Sequence, residues 1–192
     1  MKNTTAKFPI YILILMLVMI AITFIVVNKQ NKIILNIAEL DEKSDEVIYR
    51  TQKILTTANE IEFSINDFLF AKNPNSFKSI QENKNLIDAE IKSIIKLREK
   101  NQIIKSKIDS ITLYVDKQNK FAKQLFILQS KNNINSKNRL NFLFENKLNT
   151  TKIHKKIDQI HLEENKYMLK QSKDHQISSF RAAGLLIVSI IT

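Results

Sequence analysis

The sequence predicts an all-α protein: an elongated antiparallel four-helix bundle on a two-helix stalk, flanked by two transmembrane helices. Three observations predict this fold class. The 192 residues include one glycine and two prolines, too few for the turns of a β-sheet protein. Apolar residues recur at steps of three and four along most of the chain, which is the spacing of one helix face. Two uncharged apolar runs stand near its two ends.

The first apolar run, residues 9–27, reads PIYILILMLVMIAITFIVV. As a helix it spans about 28 Å, close to the thickness of the hydrocarbon core of a bilayer. We therefore expect a transmembrane anchor. A cleaved secretory signal peptide is the alternative, but such peptides have a shorter apolar core and a small-residue cleavage site, and no A-x-A pattern follows this run.

The second apolar run, AAGLLIVSII, is shorter than the roughly 20 residues that a spanning helix needs. We expect residues 182–192 to be the truncated start of a second transmembrane helix, with a buried core helix as the alternative. Residues 1–8 carry two lysines and the amino terminus, and positive charge beside an anchor favours the cytoplasm. This predicts a cytoplasmic tail at 1–8 and one domain, residues 28–181, outside the membrane.

The composition excludes several classes of function. A formal net charge of +11 invites a nucleic-acid partner, but the lysines are scattered among acidic residues, as on solvated helix faces. No aromatic stacking platform accompanies them, so we expect no nucleic acid. The chain has no cysteine, which excludes thiolate metal sites and thiol catalysis. It contains neither a Ser-His-Asp spacing nor a phosphate-binding glycine loop, so we expect no enzyme and no cofactor.

Four helices are predicted outside the membrane, separated by turns at 73–75, 100–101 and 132–136. The first runs to about residue 72 and continues directly from the anchor. The second and third cover about 76–98 and 102–131. The fourth begins near residue 137 and enters the second apolar run. Either Ser76 alone or Ser79 with Glu82 is the expected N-cap of the second helix.

The first helix carries a heptad seam, the pattern by which helices pack at a shallow angle. The seam comprises Ile37, Leu40, Ser44, Val47, Thr51, Ile54, Ala58, Ile61, Ile65 and Phe68. The expected buried stripe of the fourth helix is Leu140, Ile153, Ile157, Ile160 and Tyr167. These two helices are long enough to run antiparallel over roughly 67 Å, whereas the second and third cover only the outer part. This difference in length predicts the stalk.

The seam becomes polar towards the membrane, at Ser44, Thr51, Glu164 and Gln171. In the antiparallel pairing Ser44 lies level with Glu164, Thr51 with Ile157, and Phe68 with Leu140. Two helices with a polar seam bury little apolar surface, and a second copy would complete a four-helix cross-section. We therefore expect a parallel homodimer, with a mobile stalk as the alternative.

Three stretches carry a resemblance to a known family: TQKIL at 51–55, EFSINDFLFAKNP at 62–74 and ENKYM at 164–168. They resemble the T-x-x-V-L, R-G-Y-L-L-T-G and E-x-x-L-L signatures of the third class of CHASE sensory domains, helical bundles between two transmembrane helices of bacterial receptors. The chain departs from these signatures at Asn66 and Asp67, which replace Arg and Gly, and at Gln171, which replaces Arg.

The resemblance implies the signal-sensing region of a bacterial transmembrane receptor, most often a sensor histidine kinase of a two-component system. It implies the bacterial inner (cytoplasmic) membrane, with residues 28–181 periplasmic or extracellular, and an unknown small molecule or protein as ligand. A chemoreceptor sensor domain has the same plan and is one alternative. A membrane-anchored coiled-coil interaction protein without signalling output is the other.

Candidate sites fall into three groups. Ligand-binding candidates lie near the far end of the first helix: Glu62, Asn66 and Asp67. The polar seam is the candidate signalling element, where two packings of similar energy would allow a small piston, tilt or rotation of the fourth helix. A weaker alternative is a metal site on one helix face, formed by His154, Asp158, His161 and Glu164. A solvated face in a lysine-rich segment accounts for the same pattern, so we expect no metal.

One further cluster of basic residues surrounds the last predicted turn, at Lys131, Lys137 and Arg139. Such a cluster is able to bind an anion, although a charged loop tip is usually just solvated. We expect the solvated loop.

Overall fold

The computed structural model describes residues 8–130 and 136–191, with side chains described except at residues 8, 129–130, 136–137, 175 and 178–191. Four α-helices account for nearly all of these residues: α1 (Phe8–Ala71), α2 (Pro74–Leu97), α3 (Gln102–Ser130) and α4 (Ser136–Ile191). No strand occurs within the described ranges. The predicted all-α class is confirmed, as is the prediction that the apolar segment and the first bundle helix form one continuous helix.

The chain forms two compact units, Met1–Glu42 together with Tyr167–Thr192, and Lys43–Lys166. The first unit contains an 18-residue window with a mean hydropathy of 3.2, none of which is buried. Its length and composition allow this part of α1 to cross a membrane, although a signal sequence passes the same test. The second apolar run lies in α4 among the residues whose side chains are not described.

The second unit, Lys43–Lys166, has one hydrophobic core to which all four helices contribute. Isoleucine dominates it, and each fully buried isoleucine side chain stabilises the fold by about 1.5–3 kcal/mol. The largest fully buried side chains are Ile54, Ile61, Ile65, Leu69, Ile80, Ile87, Ile94, Ile104, Ile108, Ile111, Leu125 and Ile153. The heptad seam of the first helix and the stripe of the fourth predicted Ile54, Ile61, Ile65 and Ile153 of this set. Two residues of the predicted stripe are not buried: Leu140 is 66% exposed, and Tyr167 is half-buried.

Polar contacts show that neighbouring helices of this unit run antiparallel. On α1 and α4, Thr51 contacts His161, and Asn59 contacts His154, so the numbers rise on one helix as they fall on the other. Gln118 of α3 contacts Thr150 of α4. The predicted arrangement of bundle on stalk concerns how the two units are placed, and it stays a prediction.

The turn between α1 and α2 differs from the expected capping. Asn73, rather than a serine, is the N-cap of α2, and its side chain accepts a hydrogen bond from the backbone N–H of Asn75. Pro74 follows at the first helical position, where a backbone N–H has no partner within the helix, so its absence loses no hydrogen bond. Lys72 ends the preceding helix with a φ of 54°, a left-handed conformation that glycine normally adopts.

The turn between α2 and α3 lies at 98–101, close to the predicted position. Arg98 is the C-cap of α2, and its backbone N–H donates to the carbonyl of Ile94 at 2.9 Å. The side chain of Asn101 accepts hydrogen bonds from the N–H groups of Ile103 and Ile104, and so caps the start of α3. Both ends of this turn are therefore capped, which holds the Arg98 backbone in place.

Candidate functional site

Three helices meet at a buried ion pair, which we call the Arg98 cluster: Arg98, Glu164 and Ser44. Arg98 Nε donates to Glu164 Oε1 at 2.8 Å, and Arg98 Nη2 donates to Glu164 Oε2 at 2.6 Å. The same Nη2 donates to Ser44 Oγ at 2.7 Å. The side chains of Arg98 and Glu164 are 9% and 1% exposed, and Ser44 is fully buried. The end of α2 is thus joined to both α1 and α4.

The geometry of the Arg98 cluster makes it strong but dependent on every partner. A guanidinium and a carboxylate that share two parallel hydrogen bonds form the most directional ion pair available to proteins. Removing two charges from water is costly, and their attraction offsets that cost only while the hydrogen bonds are intact. A small shift of α4 against α2 therefore changes the energy of this contact steeply.

Two of the four residues of the predicted signalling seam thus lie in one cluster. Thr51, the third, lies two turns along α1 from Ser44, and its Oγ1 is 2.8 Å from His161 Nε2. The same hydroxyl lies 2.9 Å from the carbonyl oxygens of Val47 and Ile48, and its single proton is donated to one of these oxygens or to His161 Nε2. Gln171, the fourth, belongs to the other unit.

Sequence reasoning missed Arg98, which completes the cluster. The chain contains 26 lysines but only four arginines. Two of the four, Arg98 and Arg50, form ion pairs with an acidic side chain of a different helix. Arginine suits such pairs better than lysine because its planar group donates in two directions at once. The occurrence of the rare arginines in a lysine-rich chain was therefore the sequence feature that indicates ion pairs between helices at these positions.

A second charged cluster joins α1 to α2 around Glu90, which is 8% exposed. Glu90 accepts from Arg50 at 2.7 Å and from Lys53 at 2.5 Å. Burial alone would raise the pKa of Glu90, but the hydrogen bonds from Lys53 and Arg50 and their positive charges outweigh it and lower that pKa. Hydrogen bonding to Glu90 raises the pKa of both Arg50 and Lys53. All three groups are held in their charged forms.

The predicted ligand residues divide between two places. Glu62 and Asn66 face α4, where Lys147 Nζ lies 3.4 Å from Glu62 Oε1. The side-chain N–H₂ of Asn146 donates to the Glu62 carbonyl at 3.3 Å and to Asn66 Oδ1 at 3.5 Å. The other carboxylate oxygen, Glu62 Oε2, is buried and has no hydrogen-bond partner among the described residues. The contacts with Asn146 and Lys147 tie α1 to α4 within the helical unit.

Asp67, the third predicted ligand residue, faces the α1–α2 turn instead. Its Oδ2 accepts from Ser76 Oγ at 2.5 Å and from Asn73 Nδ2 at 3.1 Å. Asp67 also lines an open groove of 610 Å³ between α1 and α2. The carboxylate thus stabilises the turn, and the three predicted ligand residues do not share one pocket.

The residues of the weaker metal alternative make separate contacts. His154 Nε2 lies 3.2 Å from Asn59 Oδ1, His161 contacts Thr51, and Glu164 is bound to Arg98. Within 8–130 and 136–191, no group of three or more His, Cys, Asp or Glu side chains is placed to hold a metal ion.

The basic residues Lys131 and Lys137 of the last turn lie outside the described side chains.

No protein-family model, curated protein or solved structure matches the chain.

Proposed function

We propose that the chain is the signal-sensing region of a bacterial transmembrane receptor, anchored by α1 and passing a helix displacement across the membrane through α4. The observation that carries the proposal is the Arg98 cluster, in which one buried guanidinium binds both of the helices that lead to the apolar segments. A receptor needs an element with two discrete arrangements that a ligand is able to bias. A buried ion pair is such an element. A partial displacement leaves both charges without partners, so the pair is either formed or broken.

The course of the helices supports this proposal. α1 is a single helix from the apolar segment to Ala71, and α4 is a single helix from Ser136 to Ile191. A displacement at the bundle is carried along a stiff helix with little loss. The resemblance to the third class of CHASE domains extends the proposal to a sensor histidine kinase with an antiparallel bundle on a two-helix stalk. Residues 28–181 are then periplasmic or extracellular.

We further propose that the receptor is a parallel homodimer. Outside the apolar run, four of the described large apolar side chains of the first unit are exposed: Ile34 at 52%, Leu35 at 68%, Leu169 at 71% and Ile177 at 44%. A second copy covers such side chains and removes them from water. Because the chain has no cysteine, Leu35→Cys introduces a single thiol. Oxidation in membranes is expected to cross-link two chains at this position. The exposed Asp45→Cys on the same helix is the control for random collision, and equal cross-linking at both would oppose the dimer.

The signalling proposal is tested by joining residues 1–191 to a characterised sensor kinase within its second transmembrane helix, so that the kinase supplies the rest of that span and the cytoplasmic part. Four junctions that differ by one residue cover a full helical turn, so that at least one joins the two helices in register. Autophosphorylation is measured in membranes for the parent chain, Glu164→Gln and the neighbouring Glu163→Gln. We expect Glu164→Gln to change the basal activity at the responsive junction several-fold and Glu163→Gln to leave it unchanged.

Equal activity of all three chains at every junction would oppose a signalling role. It would favour the alternative of an anchored interaction protein without output.

A further inference from the structure

A groove between α3 and α4 contains features that neither the Arg98 cluster nor the signalling proposal uses. We call it the lysine groove. It has a volume of 320 Å³ and is lined by Lys117, Lys120, Phe121, Gln124, Glu145, Asn149 and Lys152. On α4 the lining residues follow steps of four and three, and on α3 Lys120 and Phe121 lie three and four residues after Lys117, so two helix faces form its opposite walls. Three lysines and one glutamate give the groove a formal charge of +2.

Asn149 is a buried lining residue of the lysine groove, and one of its polar atoms has no partner. The residue is 2% exposed, and its Nδ2 makes no hydrogen bond among the described residues. A buried donor without an acceptor is unfavourable, and such groups are rare in folded proteins. An acceptor atom of a bound molecule would remove the penalty. The Asn149 amide is a separate observation from the lysine charges, and both favour a ligand with hydrogen-bond-accepting, negatively charged atoms.

The lysines of the groove are available to a ligand. Lys117 Nζ and Lys152 Nζ each lie 5.6 Å from the centre of the Tyr114 ring, so this ring holds two cations near one another. None of the ion pairs of the described residues involves Lys117, Lys120 or Lys152. Three neighbouring cations repel one another, and an anion between them relieves that repulsion.

We propose that the lysine groove binds a phosphate group. The three lysines match its negative charge, and Asn149 Nδ2 donates to one of its oxygens. Glu145 distinguishes phosphate from other anions. A carboxylate repels a fully deprotonated anion such as sulfate, but it accepts a hydrogen bond from the P–OH group of hydrogen phosphate. The site does not depend on the proposed sensory role; if that role holds, it provides an input between α3 and α4.

The proposal is tested by isothermal titration of the full chain in non-ionic detergent with inorganic phosphate, and with sulfate at equal ionic strength. We expect saturable phosphate binding and weaker sulfate binding. Lys120→Gln with Lys152→Gln is expected to lower phosphate affinity about tenfold or more. The matched control is Lys123→Gln with Lys155→Gln. These two lysines are exposed on the same helices outside the groove, and their replacement removes the same charge.

Two single variants examine the specific contacts. Asn149→Leu is expected to weaken phosphate binding without lowering the melting temperature of the free protein, because the amide it removes has no partner. Glu145→Gln is expected to reduce the preference for phosphate over sulfate. A parallel titration with glycerol phosphate distinguishes a free ion from a phosphate ester, for which a groove of this volume has room.

Non-saturable binding, or an equal loss of affinity in the two lysine double variants, would overturn the proposal. The lysines would then contribute only to the general positive charge of the surface. Equal affinity for phosphate and sulfate would overturn the assignment of the P–OH contact to Glu145.

Discussion

Replacing Glu164 with glutamine tests whether the buried ion pair holds the three helices together. The substitution preserves size and removes the charge, so that the Arg98 guanidinium, whose side chain is 9% exposed, loses its counter-ion. Breaking a buried pair in this way costs about 3–5 kcal/mol. Glutamine retains one acceptor oxygen, so we expect the lower end, about 3 kcal/mol. This is a large share of the stability of a domain, which is about 5–15 kcal/mol.

The adjacent residue provides a matched control. Glu163 pairs with Lys166 at 3.3 Å, but the two side chains are 28% and 60% exposed. Exposed pairs of this kind contribute about 0–1 kcal/mol, because water screens the charges and the long side chains lose freedom. Glu163→Gln therefore makes the same chemical change one residue away, and we expect it to cost less than about 1 kcal/mol.

The free energy of unfolding is measured by urea titration in detergent, followed by far-ultraviolet circular dichroism. A third variant distinguishes the net contribution of the ion pair to stability from the cost of leaving one buried charge unpaired. Ser44→Ala, Arg98→Met and Glu164→Leu together replace the cluster with apolar side chains, and we expect stability close to that of the parent. If Glu164→Gln destabilises the protein no more than Glu163→Gln does, the buried ion pair does not hold the three helices together.

Two further predictions concern α1 and its contacts. Because the pKa of Glu90 is lowered in the folded protein, its contribution to stability is present above its unfolded pKa and is lost as pH falls through the folded value. The difference in urea midpoint between the parent and Glu90→Gln is therefore expected to shrink on acidification; a constant difference would contradict the pairing with Arg50 and Lys53. Lys72 has a φ of 54°, a left-handed conformation that is unfavourable for a residue with a Cβ atom. Lys72→Gly is therefore expected to raise the free energy of unfolding by about 0.5–1 kcal/mol in the same titration. A decrease would contradict this account of the Lys72 backbone.

The resemblance to CHASE domains and the structure bear on different questions. The resemblance concerns what such a chain does in a receptor, and the structure concerns which residues hold the helices together. The three signature-like stretches contain residues of structural importance: Thr51 contacts His161, Asp67 stabilises the α1–α2 turn, and Glu164 anchors Arg98. In this structure all three therefore stabilise contacts within the helical unit.

Sequence alone determined the all-helical class, the positions of the first two turns and most of the core residues of α1. These features depend on local properties: a period of three and four, the scarcity of glycine, and the proline and asparagines between α1 and α2. It also brought Ser44 and Glu164 to similar levels of α1 and α4, because both helices were counted from the membrane, and the structure places both residues on Arg98. The predicted register itself is off by about one helical turn, since Thr51, expected level with Ile157, contacts His161.

The rotation of each helix about its own axis depends on contacts with helices that are distant in sequence. A helical period identifies the apolar face but not the facing partner, so Arg98 was absent from the predicted seam, and Leu140 was assigned to a core that it does not enter. The lysine groove was missed for the same reason. Its lysines resemble solvated surface residues along the sequence, and they become neighbours of the unpaired Asn149 amide only when α3 and α4 pack together.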